Sequence, residues 1–159
     1  MDTTQATTAE GELALKLYDL RRETEMRKAR NWFATEFWPR TFSDLEQTMS
    51  QFGSPQSRWF GQVLSYWDMA ASLVLRGALH PGLFHDTCGE AWFCYAKLKP
   101  FLQEGRTNFS PEFMANLEKV IESSAEGRER LQRMQAMLTR FRTMAEERKK
   151  QQSPKSEAA

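Results

Sequence analysis

The sequence predicts an all-α protein: a single-domain bundle of about five helices with a long amphipathic helix at its C-terminal end. Three observations predict this. Apolar residues recur at three- and four-residue spacings along most of the chain, and no stretch alternates with the two-residue period of a strand. β-Branched residues are few. Seventeen of the nineteen aromatic residues, all five Trp among them, lie between Trp32 and Phe113, with charged, helix-forming sequence on either side. That contrast places the core in the middle of the chain. A chain of 159 residues buries roughly 68–70% of its unfolded surface, so its stability requires neither disulfide nor metal.

Residues 1–8 are small and polar and read as a disordered tail, and a helical core domain follows over 9–124. Thr7 and Glu10 have the spacing of a capping box. The helical pattern then runs to about Phe37. Leu13, Leu17 and Leu20 form one stripe, and Ala29, Trp32, Phe33 and Phe37 another, joined through the charged run Arg21–Arg30. That run reads as a solvated face with i,i+4 pairs such as Glu12–Lys16 and Glu23–Arg27. Pro39 ends the helix. Ser43 and Glu46 suggest a second capping box, opening a short helix with Leu45, Met49 and Phe52 inward and Gly53 as its left-handed stop.

Ser54-Pro55 is an N-cap followed by a first-turn proline. The apolar positions from Trp59 to Leu75 cover more than one face, which predicts the most buried helix of the protein, closed by Gly77. His80-Pro81-Gly82 reads as a turn. Thr87 and Glu90 suggest a third capping box, with Asp86 beside it. The helix that follows carries Trp92, Phe93, Tyr95 and Leu98 and should stop near Lys99, before Pro100. Gln103–Asn108 reads as a loop. Ser110-Pro111 repeats the Ser-Pro start, with Phe109 and Met114 as a hydrophobic staple, and the apolar pattern continues to Ala145 as one helix weakened at Ser124 and Gly127. Its distal part, 125–150, reads as either an extension of the core or an assembly arm. Residues 151–159 read as a second disordered tail.

Composition excludes some functions. The formal net charge is +1, so no global field recruits nucleic acid or an anionic membrane. Residues 105–159 hold 11 basic and 8 acidic groups, a mild excess without aromatic interleaving for base stacking. No apolar run approaches the roughly 20 residues needed to cross a bilayer. The first residues lack the basic and apolar regions of a signal peptide. Cys88 and Cys94 sit in apolar surroundings rather than in a disulfide framework. The expectation is a cytoplasmic protein without a cofactor, in which nucleic acid is not the partner.

Chemistry-bearing side chains concentrate in His80, His85, Asp86, Cys88 and Glu90. As a metal site the cluster fails on spacing. The histidines are five apart across Pro-Gly, Cys88 and Cys94 fall on different helix faces, and capping explains Asp86, Thr87 and Glu90. As a nucleophilic site it offers Cys88, at a helix N-terminus that lowers a thiol pKa, with His85 or His80 as base, but no orienting third group can be placed. No catalytic residue is assigned beyond His85 and Cys88 as candidates, and no metal ligand. Trp59, Trp67, Asp86, Glu90 and Trp92 could border a groove for a small ligand, although a packed core accounts for the same aromatics. On the C-terminal helix, Leu131, Met134, Leu138 and Phe141 form a stripe that must be buried against its own chain or a partner.

Two stretches carry a resemblance. One is Leu17-Tyr18-Asp19-Leu20-Arg21-Arg22-Glu23 with Met26 and Ala29–Phe33. The other is Tyr66–Ala70 continuing through Leu83-Phe84-His85-Asp86-Thr87-Cys88-Gly89-Glu90-Ala91-Trp92-Phe93. Over about residues 13–120 the chain resembles a family of small bacterial helical proteins catalogued as a domain of unknown function. The resemblance implies a bacterial helical protein without an enzyme signature, and it supplies no catalytic residues. Cys88 and the basic tail depart from the family's pattern, so no role for them follows from it. The leading expectation is a non-enzymatic interaction or regulatory protein that self-associates, or docks a protein partner, through the C-terminal stripe as a coiled-coil-like contact. The alternative is a small-molecule or metal-binding protein, or an enzyme, using the His80–Glu90 segment.

Overall fold

The computed structural model describes residues 5–152, so the tail readings at 1–4 and 153–159 lie outside the described residues. Within them are nine α-helices and one 3₁₀ turn, with no strand: α1 (Thr8–Leu20), α2 (Thr24–Thr35), α3 (Phe42–Ser50), α4 (Pro55–Leu75), α5 (Pro81–Thr87), α6 (Gly89–Leu98), the 3₁₀ turn Lys99–Phe101, α7 (Leu102–Asn108), α8 (Ala115–Glu122) and α9 (Ala125–Gln152). The all-α class holds. The expected count of about five is too low, because the first and last predicted helices are each broken into two and the segments read as a turn and a loop form α5 and α7.

Side-chain caps mark the breaks, two of them local and one reaching over from α4. The first helix does not run through to Phe37. It stops at Leu20, and α2 restarts after Glu23, whose carboxylate accepts the Met26 N–H at 2.9 Å. The freed Arg21 carbonyl accepts from Arg30 Nη1 at 3.1 Å. α8 begins at Ala115 rather than at Ser110, after Met114 in a left-handed conformation (φ 53°). Its first N–H groups are taken by Asp68 of α4, which accepts from Asn116 N at 3.1 Å and Leu117 N at 3.0 Å. α8 and α9 are separate helices. Ser124 Oγ accepts the Gly127 N–H at 2.9 Å and so starts α9, which then continues through Gly127.

Some local signals act where the sequence places them, and others act elsewhere. Thr7–Glu10 is a capping box, Ser54 caps α4 ahead of Pro55, and Gly53 and Gly77 have φ of +83° and +69°. The capping box of α3 is Thr41–Asp44, not Ser43–Glu46. His80 is not in a free turn: its Nδ1 accepts the Gly82 N–H at 3.0 Å and caps α5. Thr87 and Glu90 form no capping box, since Thr87 Oγ1 donates to the Leu83 carbonyl at 2.6 Å and Glu90 pairs with Arg30. α6 ends at Leu98 as expected, but 102–108 is helix rather than loop, with Thr107 and Asn108 side chains donating to the Gln103 and Glu104 carbonyls.

α4 lies along α2 and α8 and touches α3 and α5; α6 runs against α9 and α8; α1 packs on α5. The most buried helix is α6 rather than α4. Ala91, Trp92 and every residue from Cys94 to Leu98 are buried in it. α9 is laid back over the domain: Leu131 is buried, Met134 and Leu138 pack against the core, Phe141 meets Phe93 edge-on at 6.3 Å, and Arg40 pairs with Glu146 at 2.5 Å.

Candidate functional site

The chain turns sharply at Cys88, between α5 and α6, and three arginines from distant helices converge on that corner. Arg30 of α2 grips Glu90, with Nε 2.9 Å from both carboxylate oxygens and Nη2 2.5 Å from Oε2. Arg21, just past α1, donates to the Thr87 carbonyl at 3.4 Å, and its guanidinium lies 5.3 Å over Trp67 and 5.2 Å over Tyr18. Arg130 of α9 donates to the His85 carbonyl and lies 4.5 Å over Trp92, whose Nε1 donates to the Gly127 carbonyl at 3.0 Å. Gly89 makes room for this approach, since a Cβ there would sit 2.7 Å from Arg130 Nη2. The segment from His85 to Glu90 is therefore a cross-brace, whose His85 and Thr87 carbonyls and Glu90 carboxylate are met by guanidinium groups.

Burial, not the helix N-terminus, dominates the electrostatics of the corner. It pushes the Cys88 thiol up, against smaller lowering effects of the Thr87 hydroxyl, Arg21 and Arg130. Cys94 is pushed well above the usual thiol range for the same reason. A protonated thiol is a poor nucleophile. Burial also takes the Tyr66 hydroxyl up to about 12, and that group donates to the Leu17 carbonyl at 2.5 Å. His85 Nδ1 lies 3.7 Å from Asp86 and 3.6 Å from Glu126, and its Nε2 is buried without a partner. Among the described residues, no three His, Cys, Asp or Glu side chains are placed to hold a metal ion.

The five aromatic and acidic residues expected around a groove are dispersed. Trp59 packs at a tilt against Trp32, ring centres 6.1 Å apart, and Trp67 is wholly buried. Asp86 points outward, with 78% of its side chain exposed. Glu90 borders one shallow cleft with Arg27, Arg30 and Phe93, whereas Trp92 borders another with His85 and Glu126.

A different cleft stands out beside the corner. It holds about 700 Å³ between α1 and α5, and its walls include Gly11, Ala14, Leu15, Tyr18, Arg21 and Leu83. Leu15 is 67% exposed and Tyr18 52%. Neither belongs to the Leu13–Leu17–Leu20 stripe, so α1 carries more apolar surface than its packing on α5 uses. The surplus is legible in the sequence as Leu15 and Tyr18 lying off the stripe. A second feature was missed. Lys97, the one charge in the buried run Ala91–Leu98, is enclosed by the rings of Trp38 (3.7 Å), Phe33 (4.8 Å), Phe93 (5.0 Å) and Phe37 (5.8 Å), and it donates to the Phe33 carbonyl. Burial takes its ammonium down to about 7.

No helix among the described residues is long and apolar enough to cross a membrane. No curated protein and no solved structure matches the chain. Residues 6–124, three quarters of the sequence and the whole of α1 to α8, match a family profile that covers the first two arginines of the brace and the turn at Cys88; the chain belongs to the family described as Domain of unknown function (DUF4760).

Proposed function

We propose that the protein is a non-enzymatic binding module, cytoplasmic and bacterial, whose ligand site is the α1–α5 cleft. One observation carries this reading: Leu15 and Tyr18 stand open beside a cleft of small-molecule size that the described chain leaves unfilled. The C-terminal stripe is a weaker candidate for docking, because Leu131, Met134 and Leu138 already pack on the core. The two free, buried thiols suit a reducing compartment. Nile red, an uncharged dye that brightens in apolar sites, tests the cleft. Wild type should enhance its emission, and Leu15→Asp and Gly11→Leu should each remove most of the enhancement while keeping the helical circular dichroism. Equal emission from all three proteins would refute the cleft as the site.

A second reading keeps self-association through α9. It is favoured by Met137 and Met144, which are 44% and 51% exposed on α9. Light scattering checks it: a dimer that becomes a monomer in Met137→Lys/Met144→Lys supports this reading, and a wild-type monomer at working concentration removes it.

A further inference from the structure

Resting on the reading of the α1–α5 cleft as a ligand site, we infer that its occupant is a free single-chain amphiphile with one anionic head, a long-chain carboxylate, held with the head at Arg21 and the chain along α1. The cleft's volume of about 700 Å³ is that of a small-molecule site, and a partner helix, about 10 Å across with its side chains, would need more room. Between its ends the α1 wall is small or apolar: Gly11, Ala14, Leu15 and Tyr18. Thr8 and Arg21 are separated by about 20 Å along the helix axis, room for an extended alkyl chain.

Charge sets the orientation. Arg21 is underused where it stands: its Nε is buried without a partner, its hydrogen bond to the Thr87 carbonyl is long at 3.4 Å, and its other neighbours are ring faces. A carboxylate would complete it through charge-assisted bonds. Arg22, 5.9 Å over the Tyr18 ring, adds positive charge at the same end. The Thr87 hydroxyl nearby already donates its proton to Leu83, which leaves the guanidinium as the donor. Toward the other end Glu12 borders the cleft and repels an anion, so the head has one place to sit. Gly11 lies on the path of the chain with nothing within 4 Å of where its Cβ would be.

Calorimetric titration of the full chain tests this, with decanoate and 1-decanol each kept below the concentration at which it aggregates or separates, and independently with phosphatidylglycerol vesicles. Decanoate should bind at least tenfold tighter than decanol, Arg21→Gln should bring the two to the same affinity, and Gly11→Leu should abolish both. Because Gly11→Leu adds helix propensity in open space, a loss there is not unfolding. Wild type binding decanol as tightly as decanoate overturns the carboxylate head and leaves the cleft standing. Binding of neither overturns both readings. Vesicle binding that decanoate does not compete away moves the site to a membrane surface and overturns the free-chain proposal.

Discussion

The first and last helices carry the same kind of sequence and meet opposite fates. α1 and α9 are both charged helices with an apolar stripe, and both flank the aromatic core. α9 lays its stripe over α6 and fastens it with Arg130, Phe141 and Glu146. α1 seats Leu17 on the core but leaves Leu15 and Tyr18 in solvent beside a cleft. The difference teaches that a stripe read from sequence says a surface exists, not whether the chain itself covers it. Covering is decided by anchors that come from elsewhere in the fold, and α9 has them at both ends.

The largest expected effect follows from removing an anchor of α9. Leu131 is 3% exposed, and Leu131→Ala should cost about 2–5 kcal/mol by lost burial and a cavity. The same truncation on the open face, Leu15→Ala, should stay within about 0.5 kcal/mol. Urea denaturation of the two variants measures the contrast, and similar losses would mean that α1 is seated as firmly as α9. Ending the chain near Ala125 would strip off the cover of Trp92, so such a truncation should unfold the domain rather than report on assembly.

Next in size is the charge under the far half of α9. Lys97 has a folded pKa of about 7, below its ordinary 10.5, because burial penalises the ammonium, with Arg142 adding to the penalty and Cys94 opposing it. Between those values the unfolded chain holds a proton that the folded chain has released. Stability contributed by this group therefore rises with pH from about 7, by up to about 1.4 kcal/mol per unit, and is flat below it. The buried thiols Cys88 and Cys94, pushed up by desolvation, pull the other way above roughly pH 8.5. The difference between wild type and Lys97→Met over pH 7–8.5 isolates the lysine. Wild type should gain relative to the variant across that interval, and parallel profiles would show that the ring enclosure holds the ammonium at its ordinary pKa. α1 has no buried titratable group of this kind, and its variants should show no such divergence.

A middle-sized effect concerns the brace. The Arg30–Glu90 pair is partly buried, with 28% and 22% of the side chains exposed. Arg30→Gln should cost about 2 kcal/mol by stranding the carboxylate and the Arg21 carbonyl. Arg30→Lys should recover less than half of that, because an ammonium cannot make the two-pronged contact. Thermal melts of the two variants decide whether fork geometry or charge alone holds the corner.

How much of this was legible depends on whether the cause was local. The capping at Thr7 and Ser54 and the glycine stops at 53 and 77 were readable, since each needs residues only a few positions apart. The start of α8 was not, because its cap is Asp68, 48 residues away from Asn116. The brace was hidden for a similar reason. Arg21 and Arg30 lie in a charged run that composition alone reads as solvated, and only the fold brings Glu90 to them. The Thr87–Glu90 spacing then gave a plausible but wrong local use for the same carboxylate. Leu15 and Tyr18 are legible in the sequence as two apolar residues off the stripe of α1, the mark of a second apolar face.

The smallest expected effect compares the two terminal helices at a glycine in each. Gly11 in α1 faces open space: a Cβ there would meet nothing within 4 Å. Gly11→Ala should stabilise by about 0.5–1 kcal/mol through helix propensity alone and raise the melting temperature by about 1–4 °C. Gly127 in α9 lies against the Ile121 carbonyl, where a Cβ would collide with backbone. That residue also donates to Ser124 Oγ and accepts from Trp92 Nε1, so the helix cannot slide away without breaking both bonds. Gly127→Ala should destabilise by about 1 kcal/mol or more despite the same gain in propensity. Opposite signs in the two melts would establish that α9 is held against its neighbours at backbone distance and that α1 keeps one face free. Two stabilising substitutions would mean that α9 also has room to move.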